Sequence, residues 1–116
     1  MPPATLPLRE QHCQPRRGPE HRLDQATIHA DLAELPGWQL AAVADSIRKD
    51  FRFNDFYQTM AFVNAVAFIA HREDHHPDLE IGYGHCHVRY STHDVGGVSA
   101  NDLICAAKVE ALATGA

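Results

Sequence analysis

The chain is short of several things at once, and each shortage removes a class of function. Lys and Arg number 10 against 15 Asp and Glu in 116 residues, a formal net charge of -5, and no basic block is present to neutralise a phosphate backbone. Direct nucleic-acid binding is not expected. Cysteine is scarce: Cys13, Cys86 and Cys105 are odd in number, lack the C-x-x-C spacing of zinc and redox sites, and fall far below the density of a disulfide-built secreted scaffold. A reducing cytoplasm is the expected compartment. No uninterrupted apolar run approaches the about 20 residues of a membrane span. Pro2, Pro3 and Pro7 break the only mildly apolar stretch near the start, so neither an export signal nor a membrane partner is expected. What is left is one domain, long enough to bury a modest core without disulfides or a structural metal.

Five of the seven prolines fall in residues 1–20 together with Arg16, Arg17 and Gly18. This composition predicts a flexible, extended arm, mobile or ordered only by a partner subunit, ahead of a folded domain over 21–116. From Leu23 the pattern is helical: Asp24 is a good N-cap, Leu23 and Ile28 stand as a hydrophobic staple, and Ile28, Leu32 and Leu35 repeat at helical spacing before Pro36-Gly37. Two strands follow, over Trp38 to Val43 and Ser46 to Phe53, the second alternating Ile47, Phe51 and Phe53 with Arg48, Asp50 and Arg52. Asn54 is read as the cap of the longest helix, about 54–74, with a wide apolar arc from Phe56 to Ala70. Pro77 stops it. Leu79 to Tyr83 and His87 to Ser91 read as a hairpin turning near Gly84, and a last helix opens at Ser99 with Asp102 in a capping-box position. The order helix, two strands, helix, two strands, helix predicts an α+β domain: a four-stranded antiparallel sheet with three helices packed on one face.

The chemistry is concentrated in one region. Six of the nine histidines lie between His71 and His93, where Asp74-His75-His76-Pro77 leads to Tyr83 and then Ser91-Thr92-His93. Imidazole is the side chain that exchanges protons near neutral pH, so three rings able to converge on one small molecule point to acid–base catalysis. A helical wheel puts His71 and His75 on a face with Asn64 and Phe68, a wall suited to a flat heterocycle. Other readings are available. His75 or His76 alone would serve as a helix C-cap. His71 with His75, or His85 with His87, has metal-ligand spacing, but the segment is not H-E-x-x-H and no cysteine pair completes a set. Cys86 reads as a small buried hydrophobe. Ser91, Thr92, His93 and Asp94 lack the G-x-S-x-G elbow of a hydrolase, and Gly96-Gly97 reads as a turn.

These residues carry a family resemblance. His71, three positions, His75-His76-Pro77, five positions, Tyr83, nine positions, His93 and then Asp102 resemble the pattern of the pterin-4a-carbinolamine dehydratases, also known as a dimerization cofactor of a homeodomain transcription factor. The resemblance extends upstream through Gly37-Trp38 and Phe51-x-Phe53-x-Asp55-Phe56, about residues 22–113. It implies that His75, His76 and His93 are the catalytic histidines and that His71, Pro77, Tyr83 and Asp102 border the substrate, with Asp102 a supporting acid. Many relatives have Glu where this chain has His71. Some have become assembly factors and lost the histidines, and this chain keeps all three. The implied reaction is loss of water from a 4a-hydroxytetrahydropterin, the product of aromatic amino acid hydroxylases such as phenylalanine hydroxylase. It needs neither metal nor redox cofactor. A homodimer or homotetramer is implied too, as is a second, non-catalytic binding role.

Overall fold

The computed structural model describes residues 6–114. The start of the proline-rich arm, residues 1–5, lies outside them. Helix α1 (Gln25–Leu32) is capped by Asp24, whose side chain accepts from the Thr27 backbone N–H at 2.8 Å. That bond holds the Asp24 carboxyl below its usual range. Strand β1 (Gln39–Leu40) is much shorter than the apolar run from Trp38 to Val43 predicts. The chain turns immediately after it, with Ala44 N–H bonded to Ala41 O at 2.8 Å and Ala44 itself at φ 58. Trp38 is spent on the core, not on the strand.

Strand β2 (Ile47–Arg52) leads to α2 (Phe56–Glu73), capped by Asp55 where Asn54 is expected. The Asp55 carboxylate accepts from Gln58 N–H at 2.8 Å, while the Gln58 side chain reaches back to the Asn54 N–H at 3.2 Å, so both residues take part in one reciprocal cap. Strands β3 (Asp78–Ile81) and β4 (His85–Tyr90) form the hairpin. It starts β4 two residues ahead of the apolar pattern because His85 and His87 sit on the wet face, where no hydrophobic signal marks a strand. Helix α3 (Ala100–Thr114) ends the described chain.

The four strands lie in the order β1-β2-β4-β3, all antiparallel. Register pairs Ile47 with Tyr90, Lys49 with Val88 and Phe51 with Cys86, so one face is apolar. Phe62 and Val66 of α2 and Leu103 and Val109 of α3 join that face in a single core with Ile28, Leu32 and Trp38. Phe51 and Phe62 rings meet at 4.7 Å, and Trp38 meets Phe51 edge-on at 6.1 Å. The opposite face carries Arg48, Asp50, Asp78, Glu80, His87 and Arg89. This is the α+β architecture that the element order predicts, with the helices on one side of the sheet.

The described part of the arm makes 3₁₀ turns at Leu8–Glu10 and Pro19–His21 with irregular chain between them, and it finds partners within its own chain. Glu73, at the end of α2, accepts from Cys13 N–H at 2.7 Å and faces His12 Nδ1 at 3.0 Å. Asn101 accepts from Gln14 N–H at 3.1 Å and donates to Gln14 O at 2.7 Å. Gly18 N–H reaches Asp94 O at 3.0 Å. Composition predicts a free arm because the groups that hold it are far away in sequence. Among the described residues, no helix is long and apolar enough to cross a membrane.

Candidate active site

Helix α2 ends on Asp74, which adopts the left-handed conformation at φ 51 and throws the chain off the helix axis. His75 follows, its N–H bonded to Ala70 O at 3.1 Å. Because the helix has already ended, His75 does not share a wall with Asn64 and Phe68; Phe68 is 60% exposed elsewhere on α2, with Arg72 over its ring. The His75 ring instead stacks on Tyr90 of β4, centroids 5.9 Å apart and planes 13° from parallel.

Beneath it stands Asp102, in the first turn of α3. Its Oδ1 lies 2.6 Å from His75 Nε2, and its Oδ2 accepts from Thr92 Oγ1 at 2.7 Å and from Ser99 N–H at 2.9 Å. Thr92 and Ser99 hydroxyls meet at 2.7 Å. The carboxylate is fully buried, and its charge is met by three partners and by the N-terminal end of the α3 dipole. A carboxylate accepts, so His75 Nε2 carries a hydrogen and Nδ1 is the nitrogen left for chemistry. The capping box expected at Ser99 is thus also the support of a histidine.

His75, His76 and His93 line one cavity of about 640 Å³, together with Asp78, Arg89, Ser91 and the Gly96-Gly97 turn. Its size suits a small heterocycle. His76 is exposed, its Nδ1 3.3 Å from Pro77 O. His93 is exposed at the start of a short 3₁₀ turn, His93–Val95, closed by Gly96 at φ 74, whose N–H bonds to His93 O at 3.0 Å. Tyr90 backs the site without serving it: burial pushes its phenol far above the usual range.

Of the other sequence-predicted residues, Asp102 is reached through His75, while His71, Pro77 and Tyr83 are not among the cavity's lining. His71 is exposed on α2, and Tyr83 is 68% exposed at the hairpin tip, where its carbonyl accepts from Thr59 Oγ1 at 2.8 Å. Two features of the site escape sequence reasoning. Arg89 bonds Asp78 at 2.9 Å and stands 3.6 Å from Asp45, placing a guanidinium between two carboxylates on the rim. Only the strand register, which pairs Asp78 with Arg89, announces it. Thr92 is a strut for Asp102.

A family model described as Pterin 4 alpha carbinolamine dehydratase matches residues 21–112. The chain belongs to this family. A protein of Xanthomonas campestris pv. campestris (strain 8004) that carries the name pterin-4-alpha-carbinolamine dehydratase is 57% identical over 107 residues, covering 92% of this chain and 91% of its own. One from Stenotrophomonas maltophilia (strain K279a), of the same name, is 54% identical and covers 92% of each chain. Among solved structures, a transcriptional coactivator/pterin dehydratase from Brucella melitensis superposes with a TM-score of 0.76 at 33% identity, covering 79% of this chain and 98% of that one. A pterin dehydratase-like protein described as a RuBisCO assembly factor in the alpha-carboxysome gives 0.57 at 26%, covering 66% of this chain and 89% of that one. The pterin carbinolamine dehydratase family is one of lyases, and this member has the three-histidine cavity on its own chain.

Proposed function

We propose that this chain dehydrates 4a-hydroxytetrahydrobiopterin to quinonoid dihydropterin and so returns the pterin cofactor of aromatic amino acid hydroxylases to use. The observation that carries this reading is the His75–Asp102 pair opening on the same cavity as His76 and His93. The reaction breaks the carbon 4a–oxygen bond and the nitrogen 5–hydrogen bond. A base takes the nitrogen proton as an acid delivers one to the departing hydroxyl, so one proton is taken, one is given, water leaves and no electrons change hands. His75 is suited to receive the proton, because the Asp102 carboxylate stabilises the imidazolium that forms. His76 and His93 then serve the hydroxyl, one for each face of the substrate, which would let both stereoisomers react. His71, Pro77 and Tyr83 belong to this reading as further substrate-bordering positions.

The reading includes a homodimer or homotetramer in a reducing cytoplasm and a functional link to a phenylalanine hydroxylase. Phe56, Tyr57 and Phe68, exposed along α2, support an association surface, and all three cysteines are free. The Brucella relative's description also supports a second reading, a non-catalytic binding scaffold, for which that same helix face is the natural contact. The deciding experiment supplies carbinolamine from phenylalanine hydroxylase and follows its decay. The wild-type chain should shorten its lifetime, and His76→Ala and His93→Ala should each cost about 10²- to 10⁴-fold in rate. Decay at the uncatalysed rate with wild-type protein would leave the scaffold.

A further inference from the structure

On the polar face of the sheet a second histidine cluster lies outside the cavity. β4 opens His85-Cys86-His87, and alternation sends Cys86 into the core and both imidazoles to the outside, their centroids 4.9 Å apart. The cross-strand partner of His87 on β3 is Glu80. Glu80, His85 and His87 each offer one ligand atom, all within 4.8 Å of one another, the one such group of three among the described residues.

Two further details fit a ligand site. Asp50, the partner of His87 on β2, places Oδ1 3.1 Å from His87 Nδ1, while its Oδ2 is taken by Arg52 at 2.8 and 3.0 Å. Asp50 therefore sets a negative charge beside Nδ1 of His87, the kind of carboxylate neighbour that supports an imidazole bound to a metal through its other nitrogen. Gly82 makes room for the other ring. A Cβ at Gly82 would stand 2.1 Å from Cε1 of His85, so a side chain there would have to push that imidazole out of its present position.

We propose that Glu80, His85 and His87 form a binding site for a borderline divalent transition metal, with zinc the natural probe. Two imidazoles and one carboxylate suit such an ion better than calcium or magnesium, which prefer oxygen alone. In a tetrahedral zinc site the ligand atoms stand about 3.4 Å apart, a contraction within reach of side-chain rotation at these partly exposed positions. Bound metal would tie β3 to β4 and leave a coordination position open to solvent. None of the three residues lines the histidine cavity.

The test is calorimetric titration of the full chain with zinc chloride in a non-chelating buffer. One equivalent should bind to the wild type. Glu80→Gln and His85→Asn should each weaken that site at least tenfold, and Asp50→Asn, which removes no ligand, by about 10- to 100-fold. Gly82→Ala should weaken it as well by displacing the ring. Carbinolamine dehydration by His85→Asn should stay at the wild-type rate, which reports an intact fold. A wild-type chain that shows no saturable one-equivalent isotherm, or a His85→Asn chain that titrates like the wild type, would overturn the proposal; the latter would assign the zinc to other histidines.

Discussion

Asp102 Oδ1 stands 2.6 Å from His75 Nε2, and through that contact the first turn of α3 holds the residue just past the end of α2. Asp102→Asn keeps the shape and removes the charge that favours a protonated ring. Dehydration should fall by about 10²-fold or more, with a changed pH–rate profile. The fold should lose about 1–3 kcal/mol as Thr92 and the Ser99 N–H face an altered partner. Kinetics and a urea melt of the same preparation separate the two effects.

Among the described residues, the fully buried Tyr90 hydroxyl has no hydrogen-bond partner. Replacing it by Phe keeps the ring under His75 and deletes an unsatisfied polar atom, so Tyr90→Phe should be neutral or stabilising, by up to about 1–3 kcal/mol. A melting temperature several degrees below wild type would show that the hydroxyl has a partner after all.

Glu73 should make the arm sensitive to acid. Its burial would raise its pKa, but the Cys13 N–H, His12 and Lys108 outweigh that and hold the carboxyl below its ordinary 4.5. A lowered folded value means stabilisation that is complete above the ordinary value and lost as pH falls through the folded one. The stability gap between wild type and Glu73→Gln should therefore be constant near neutrality and close progressively below about pH 4.5. At neutral pH, Glu73→Gln should also be cut faster by trypsin at Arg16 and Arg17, which mass spectrometry would report.

Cys86 is fully buried under the sheet, and burial followed by the nearby Asp50 charge pushes its thiol up to about 11. It should resist alkylation at pH 7–8 in the folded chain and become labelled on denaturation. Labelling at the native stage would contradict the packing of β4.

How much of this is readable in the residues depends on the distance over which the structure acts. The HHP run, the Asp24 cap and the Ser99–Asp102 capping box are local, so spacing alone reveals them. The Asp74 turn is a single left-handed residue without a glycine to mark it, and a helical wheel continued through it places His75 on the wrong wall. Arg89 and Asp78 meet only through strand register. Asn101 and Gln14 are 87 positions apart, and no periodicity could join them.

The arm's attachment points have a consequence for anyone preparing shorter versions of this protein. Glu73 lies two positions before His75, and Asn101 lies one before Asp102, so the segment around Cys13 and Gln14 clasps both sides of the His75–Asp102 pair from behind. Trimming to the family boundary at residue 21 would preserve every histidine of the cavity. It would nonetheless cut away the backbone strap that braces the floor on which one of them rests.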